Sequence, residues 1–380
     1  MVQCRSARPN VFSNKNRSLI NDCIYKNPPL FLLSSFTKKG LYAVEKENLR
    51  HTYSGSDTAT IATAEPGSTA KRDITLDRFR GIIIILMVIG NGLADVPAFP
   101  GIFKHAEDIG FTIADTVAPM FILAIAMTYR ASFLRRYDKH KLNAYSHFII
   151  RYFALIGIGA LFSAGGVVVA QQTPWGVLQS IGMAGLLTLP FIRLSAGWRA
   201  AAALAILICY QLLLDRFWLA DVLGSSHGGF YGSISWGAML ILCTAMVDWL
   251  SAPDRRQAYA ITALTVVSAV AIWLVPISKN RMTISYVLLT TLISCFAYIA
   301  VRLASKRIQP KSGWIACWGE NPLPMFVLHL ILTALSLLPF ALLGIDERPL
   351  IPSVIATSAV LAVMTWCALW AHRAKFRLSL

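Results

Sequence analysis

Charge is scarce in this sequence. Of its 380 residues only 14% are Asp, Glu, Lys or Arg against 56% hydrophobic, and the mean hydropathy of +0.57 is too high for a water-soluble domain of that length. Acidic residues are scarcer still, 19 against 35 Lys and Arg, which leaves a formal net charge of +16. Such a surplus raises nucleic acid as a partner. The cations, however, lie in short clusters between long apolar runs, with no continuous basic face carrying stacking aromatics, so no nucleic acid is expected. Cysteine is sparse and scattered (Cys4, Cys23, Cys209, Cys243, Cys295, Cys317 and Cys367) without CxxC or His-Cys ligand spacing, so neither structural zinc nor a disulfide framework is expected, and no metal. Walker A, GxSxG and HExxH patterns are also missing. A convincing signal peptide is absent, since no apolar region with a small-residue cleavage site follows the basic start. Residues 1–70 are polar and basic, with one apolar patch from Pro28 to Phe36 that is too short to span a bilayer; they read as a mostly disordered tail.

What the sequence has instead is long apolar runs. A spanning helix needs about 20 residues, and from Gly81 onward ten runs qualify, near 81–98, 112–130, 147–169, 174–192, 198–218, 232–250, 258–276, 284–303, 319–342 and 351–371. Only helices satisfy their own backbone within lipid, so residues 71–380 are expected to form one all-α polytopic transmembrane bundle of about ten spans. Cytoplasmic loops carry excess Lys and Arg. One side collects Arg78 and Arg80, Arg130, Arg135, Arg136, Lys139 and Lys141, Arg193 and Arg199, Arg255 and Arg256, Arg302, Lys306, Arg307 and Lys311, then Arg373, Lys375 and Arg377; the other has Lys104, Arg216, Lys279, Arg281 and Arg348. The asymmetry predicts both ends in the cytoplasm, with the loops holding His105, Trp175, His227 and Asn280 facing outward, and the cell (inner) membrane is the expected location.

Polar side chains at membrane depth cost about 2.5–3.5 kcal/mol when charged, so they usually face a cavity or a partner. Asn91, about 16 Å up the first span at about 1.5 Å per residue, reads either as a site residue or as an interhelical hydrogen bond. His105 follows in the outward loop, either a general base or nucleophile or an ordinary surface histidine. Asp115 opens the second span, where a carboxylate caps the positive helix end or orients His105. His329, mid-depth in the ninth span, hydrogen-bonds across helices or lines a substrate path. His227, in Ser-Ser-His-Gly-Gly, reads as a flexible outer-loop residue. Arg80, Arg135 and Arg136 form an inner-face cluster that topology alone accounts for, or that holds the phosphates of a nucleotide.

The order of several segments between about 72 and 335 resembles the transmembrane acetyltransferases related to heparan-alpha-glucosaminide N-acetyltransferase. Leu76-Asp77-Arg78-Phe79-Arg80-Gly81 running into Leu86-Met87-Val88-Ile89-Gly90-Asn91 is similar to that family's opening and to the asparagine ending its first core helix. His105-Ala106, Gly110, Thr112 and Ala114-Asp115 match its His-Ala-x-x-x-Gly-x-Thr-x-Ala-Asp signature. Gly176-Val177-Leu178-Gln179, Pro276-Ile277-Ser278-Lys279-Asn280 and Asn321-Pro322 with His329 resemble later segments. The resemblance implies an acyltransferase that takes an acetyl group from cytoplasmic acetyl-CoA to an amine or hydroxyl of a sugar or glycan outside. His105 would then be catalytic with Asn91 as its partner, Asp115, His329 and Asn321 supporting, and Arg80, Arg135 and Arg136 toward the CoA nucleotide. The lipid bilayer is the surrounding partner, and the assembly is left open, a homodimer included. Two departures stand out: Glu107-Asp108 occupies a place where the family commonly has an aromatic residue, and the interval from Asn91 to His105 is longer. A transporter or flippase for a sugar or lipid-linked substrate is the rival reading, although no internal repeat of the kind transporters show is evident.

Overall fold

In a computed structural model of the chain, residues 72–168, 175–307, 313–345 and 347–378 are described. The tail read at 1–70 lies outside them. Every described regular element is helical: α1 (Ile74–Leu93), α2 (Val117–His140), α3 (Leu142–Val168), α4 (Val177–Thr188), α5 (Ala196–Leu223), α6 (Gly229–Leu250), α7 (Asp254–Leu274), α8 (Ile284–Arg307), α9 (Trp314–Glu320), α10 (Pro322–Leu342) and α11 (Leu350–Arg373). Eight of these, α2, α3, α5–α8, α10 and α11, are long and apolar enough to cross a bilayer. The 20-residue α1 carries Asp77, Arg78 and Arg80 in its first turns, and α4 is an apolar helix of 12 residues. Together they account for the ten predicted segments. The protein is therefore a multi-pass integral membrane protein.

Helix ends follow local chemistry rather than hydropathy. The first span begins at Ile74, seven residues before its apolar run, because the Asp73 carboxylate accepts from the amides of Thr75 (2.9 Å) and Leu76 (3.3 Å). Between α2 and α3 a single residue, Lys141 at φ 47°, reverses the chain, so the polar stretch read as a loop is helical almost throughout. The ninth predicted segment is broken at Asn321, because Pro322 starts a new helix and its ring would clash with a continuing turn.

Helix α6 lies at the centre and is buried along most of its length, packed by α4, α5 and α2. The outer helices turn large apolar side chains outward, among them Leu161, Trp273, Ile351 and Trp366, as expected where the solvent is lipid. Small residues allow the closest crossings. A Cβ on Gly81 would sit 2.0 Å from the Ile315 carbonyl oxygen, and one on Gly319 would sit 1.9 Å from that of Asp77, so α1 and α9 touch backbone to backbone. This crossing is what the glycine of the Leu-Asp-x-Phe-Arg-Gly opening serves.

Candidate active site

Three connections gather at the sparsely basic end of the bundle. They are the segment from Ala94 to Thr116, the turn before α6, and the segment between α7 and α8. The first is clamped to the third. Gly110, at φ 140°, donates its amide to the Ile277 carbonyl (2.9 Å), and the Asn280 amide donates to the Glu107 carbonyl. Asp108 accepts from Arg281 Nε (2.9 Å) and from the Ser278 hydroxyl (3.0 Å). The Glu107-Asp108 departure is thus matched across the clamp by Arg281 and Asn280. The Arg281 guanidinium, helped by Ser278, holds the Asp108 carboxyl below the usual carboxylate range.

The clamp frames His105. Its Nδ1 lies 2.8 Å from Oδ1 of Asp115, whose side chain is fully buried while that of His105 is 42% exposed. The carboxylate can only accept, so a ring hydrogen sits on Nδ1, and in the neutral ring Nε2 carries the lone pair. The second oxygen of Asp115 accepts from the Thr112 amide (3.1 Å) and hydroxyl (3.0 Å). Capping and histidine orientation, which the sequence leaves as alternatives, are both performed, one by each oxygen. Lys279 Nζ lies 3.6 Å from Oδ1, and burial pulls the pKa of this ammonium down while Asp115 pulls it up.

His105, Asp115 and Lys279 open on a cavity of about 550 Å³ lined also by Asn91, Gln179 and Tyr286. Gln179 caps α4, accepting from the Gly176 amide (2.8 Å) and donating to the Ser163 hydroxyl (3.1 Å). The Tyr286 hydroxyl donates to the Asp115 carbonyl (2.7 Å). A second cavity of about 120 Å³ lies toward the basic end and includes Arg80, Arg151, Tyr129 and Tyr152. Phe121, Leu178, Ile181 and Phe326 line both cavities, so only an apolar septum divides them.

Of the residues singled out in the sequence, His105, Asp115 and Asn91 share the larger cavity. Asn91 Nδ2 is placed 3.2 Å from Nε2 of buried His329, and this is the hydrogen bond it makes. Asn321 lies elsewhere: its side chain holds the chain end, donating to the Phe376 carbonyl (3.0 Å) and accepting from the Leu378 amide (3.1 Å). Arg80 reaches the smaller cavity, donating to the Thr128 hydroxyl (3.1 Å). Arg135 and Arg136 are exposed on the last turns of α2 and line neither cavity; Arg135 donates to the Ala131 carbonyl. The expectation of a flexible His227 is corrected, because this residue lines the larger cavity with a buried Nδ1. Gln179, Lys279, Tyr286 and Arg151 were missed. The first two stand in motifs the sequence displays, whereas nothing local marks Tyr286 or Arg151.

At the basic end, Cys317, Glu320 and His372 offer three ligand atoms within 4.8 Å of one another. His372 Nδ1 and Glu320 Oε1 already pair at 2.9 Å and tie α9 to α11, which accounts for their approach without an ion.

A family model described as heparan-alpha-glucosaminide N-acetyltransferase, catalytic, matches residues 72–331. That span contains every residue lining the larger cavity. A comparison with curated proteins found no match.

Proposed function

The chain belongs to the heparan-alpha-glucosaminide N-acetyltransferase catalytic family, and from that membership we propose that it moves an acetyl group from acetyl-CoA, taken up at the basic, cytoplasmic end, to an amine or hydroxyl of a sugar held at the opposite, outer end. The observation that carries this reading is the His105–Asp115 pair, set in a cavity that abuts a second one through four apolar side chains.

Arg80 and Arg151 suit the anionic end of CoA, because guanidinium forks match phosphate oxygens. Arg80 and Asn91 are eleven residues apart on α1, about 16 Å at about 1.5 Å per residue. A long, thin pantetheine arm between the two levels brings its thioester up to His105. The apolar septum suits that arm and keeps water from connecting the two faces. His105 Nε2 then removes a proton from the attacking amine or hydroxyl. The new C–N or C–O bond forms at the thioester carbonyl, the C–S bond breaks, and the leaving thiolate takes the proton back from Nε2. Asp115 holds the ring and stabilises the imidazolium that forms in between.

Sealed proteoliposomes test the arrangement. With acetyl-CoA supplied only at the basic end and glucosamine only at the other, acetylated sugar should form on the glucosamine side. Product that forms only when both substrates share one face would overturn the two-sided reading.

A further inference from the structure

His227 occupies a costly conformation. Its φ and ψ of 55° and 28° are left-handed, and Gly228 (φ 80°) and Gly229 (φ 60°) continue the same turn into α6. The glycines adopt these angles freely, whereas a histidine does so only against the clash of its Cβ. The surrounding structure holds it there. Trp236 Nε1 donates to the His227 carbonyl (3.2 Å), its indole meets the imidazole edge-on at 6.3 Å, and Gly232 leaves space for that carbonyl, which would stand 2.9 Å from any Cβ. Strain kept at a residue lining a cavity points to use of its side chain.

Among the described polar side chains lining that cavity, His227 stands uncommitted, as does Nε2 of His105. Asp115 is occupied by His105, Thr112 and Lys279, Gln179 by Gly176 and Ser163, and Asn91 by His329. His227 Nδ1 is buried with no hydrogen-bond partner. A buried N–H without an acceptor is the costlier way to leave a ring nitrogen unpaired, so the hydrogen belongs on Nε2. Burial, reinforced by the nearby Lys279 ammonium, pushes the imidazole down to about 3 and keeps it neutral at physiological pH.

We propose that His227 is a specificity-determining residue that donates a hydrogen bond from Nε2 to a hydroxyl of the acceptor sugar, fixing the orientation in which its reacting group meets His105. This rests on the acetyltransferase reading above. A neutral donor fits an uncharged hydroxyl oxygen and does not repel an amine. Its turn lies at the outer end, where the acceptor enters, while CoA approaches across the septum from the other side.

Equilibrium titration with glucosamine and its singly deoxygenated analogues, without acetyl-CoA, tests the assignment apart from turnover. In the wild type one deoxy analogue should bind about tenfold more weakly than glucosamine. His227→Gly should melt at or above the wild-type temperature, since it relieves the left-handed strain, yet bind glucosamine about tenfold more weakly and no longer distinguish that analogue. His227→Asn, which tolerates the same backbone, should fold and keep part of the discrimination. Wild-type affinity and discrimination in well-folded His227→Gly, or no glucosamine binding by the wild type, would overturn the proposal. Failure of acetyl transfer by a wild type that binds and discriminates these sugars would instead count against the catalytic reading.

Discussion

Replacing Asp115 by asparagine keeps the volume of the side chain and removes one acceptor. Two donors, the amide and hydroxyl of Thr112, converge on Oδ2, and one, Nδ1 of His105, on Oδ1. Asparagine has a single oxygen, and Thr112 retains it. The new NH2 then faces His105 Nδ1, which must become an acceptor, so the ring hydrogen moves to Nε2 and the base is lost. General base catalysis contributes about a hundred- to ten-thousandfold, equal to about 3–5 kcal/mol of barrier, and a fall in kcat within that range is expected. Stability changes as well, because Lys279 is left buried beside a neutral partner; breaking a buried pair costs about 3–5 kcal/mol. The true cost should lie below that, since burial already eases loss of the Lys279 proton. The double variant Asp115→Asn with Lys279→Met separates the two effects: its thermal midpoint should recover while CoA release from acetyl-CoA and glucosamine stays low. A folded Asp115→Asn protein with wild-type kcat would refute the orientation argument.

Donor binding should follow the smaller cavity and not the most basic surface. Arg151→Gln should raise the KM for acetyl-CoA about tenfold, as for loss of one charge-assisted contact, and Arg135→Gln with Arg136→Gln should change it less; initial rates at varied acetyl-CoA give the comparison. The loop clamp should be acid-sensitive. Because Arg281 depresses the Asp108 pKa in the folded state, the stability from that pair is fully present above the ordinary value of 3.8 and is lost as pH falls through the depressed one. Exchange of the Gly110 amide, followed from about pH 5 to about pH 2, should accelerate beyond its intrinsic pH dependence in the wild type and not in Arg281→Gln.

Hydropathy made the helices legible because lipid imposes one pattern on every span. It misplaced their ends wherever a single residue decides: Asp73 capping α1, Lys141 reversing the chain, Asn321 and Pro322 breaking a segment in two. The His105–Asp115 pair was legible because both residues stand in one short motif. Asn91 hydrogen-bonds to His329, which lies 238 residues away, and no local pattern encodes that contact. His227 was misread for a physical reason. A Gly-Gly pair after a histidine suggests mobility, whereas here the glycines continue a left-handed turn that holds the histidine in place. Nothing local in the sequence marks Arg151, which α3 brings to the cavity beside Arg80.

The proposed function stands or falls with His105 as the general base of acyl transfer. Purified wild-type protein and His105→Ala, matched for thermal midpoint, can be given acetyl-CoA and glucosamine while free CoA thiol and acetylated sugar are followed together. Equal amounts of both products are expected from the wild type, with a loss of about a hundredfold or more in the variant, because the general base that takes the acceptor's proton is removed. Wild-type rates from folded His105→Ala would contradict it.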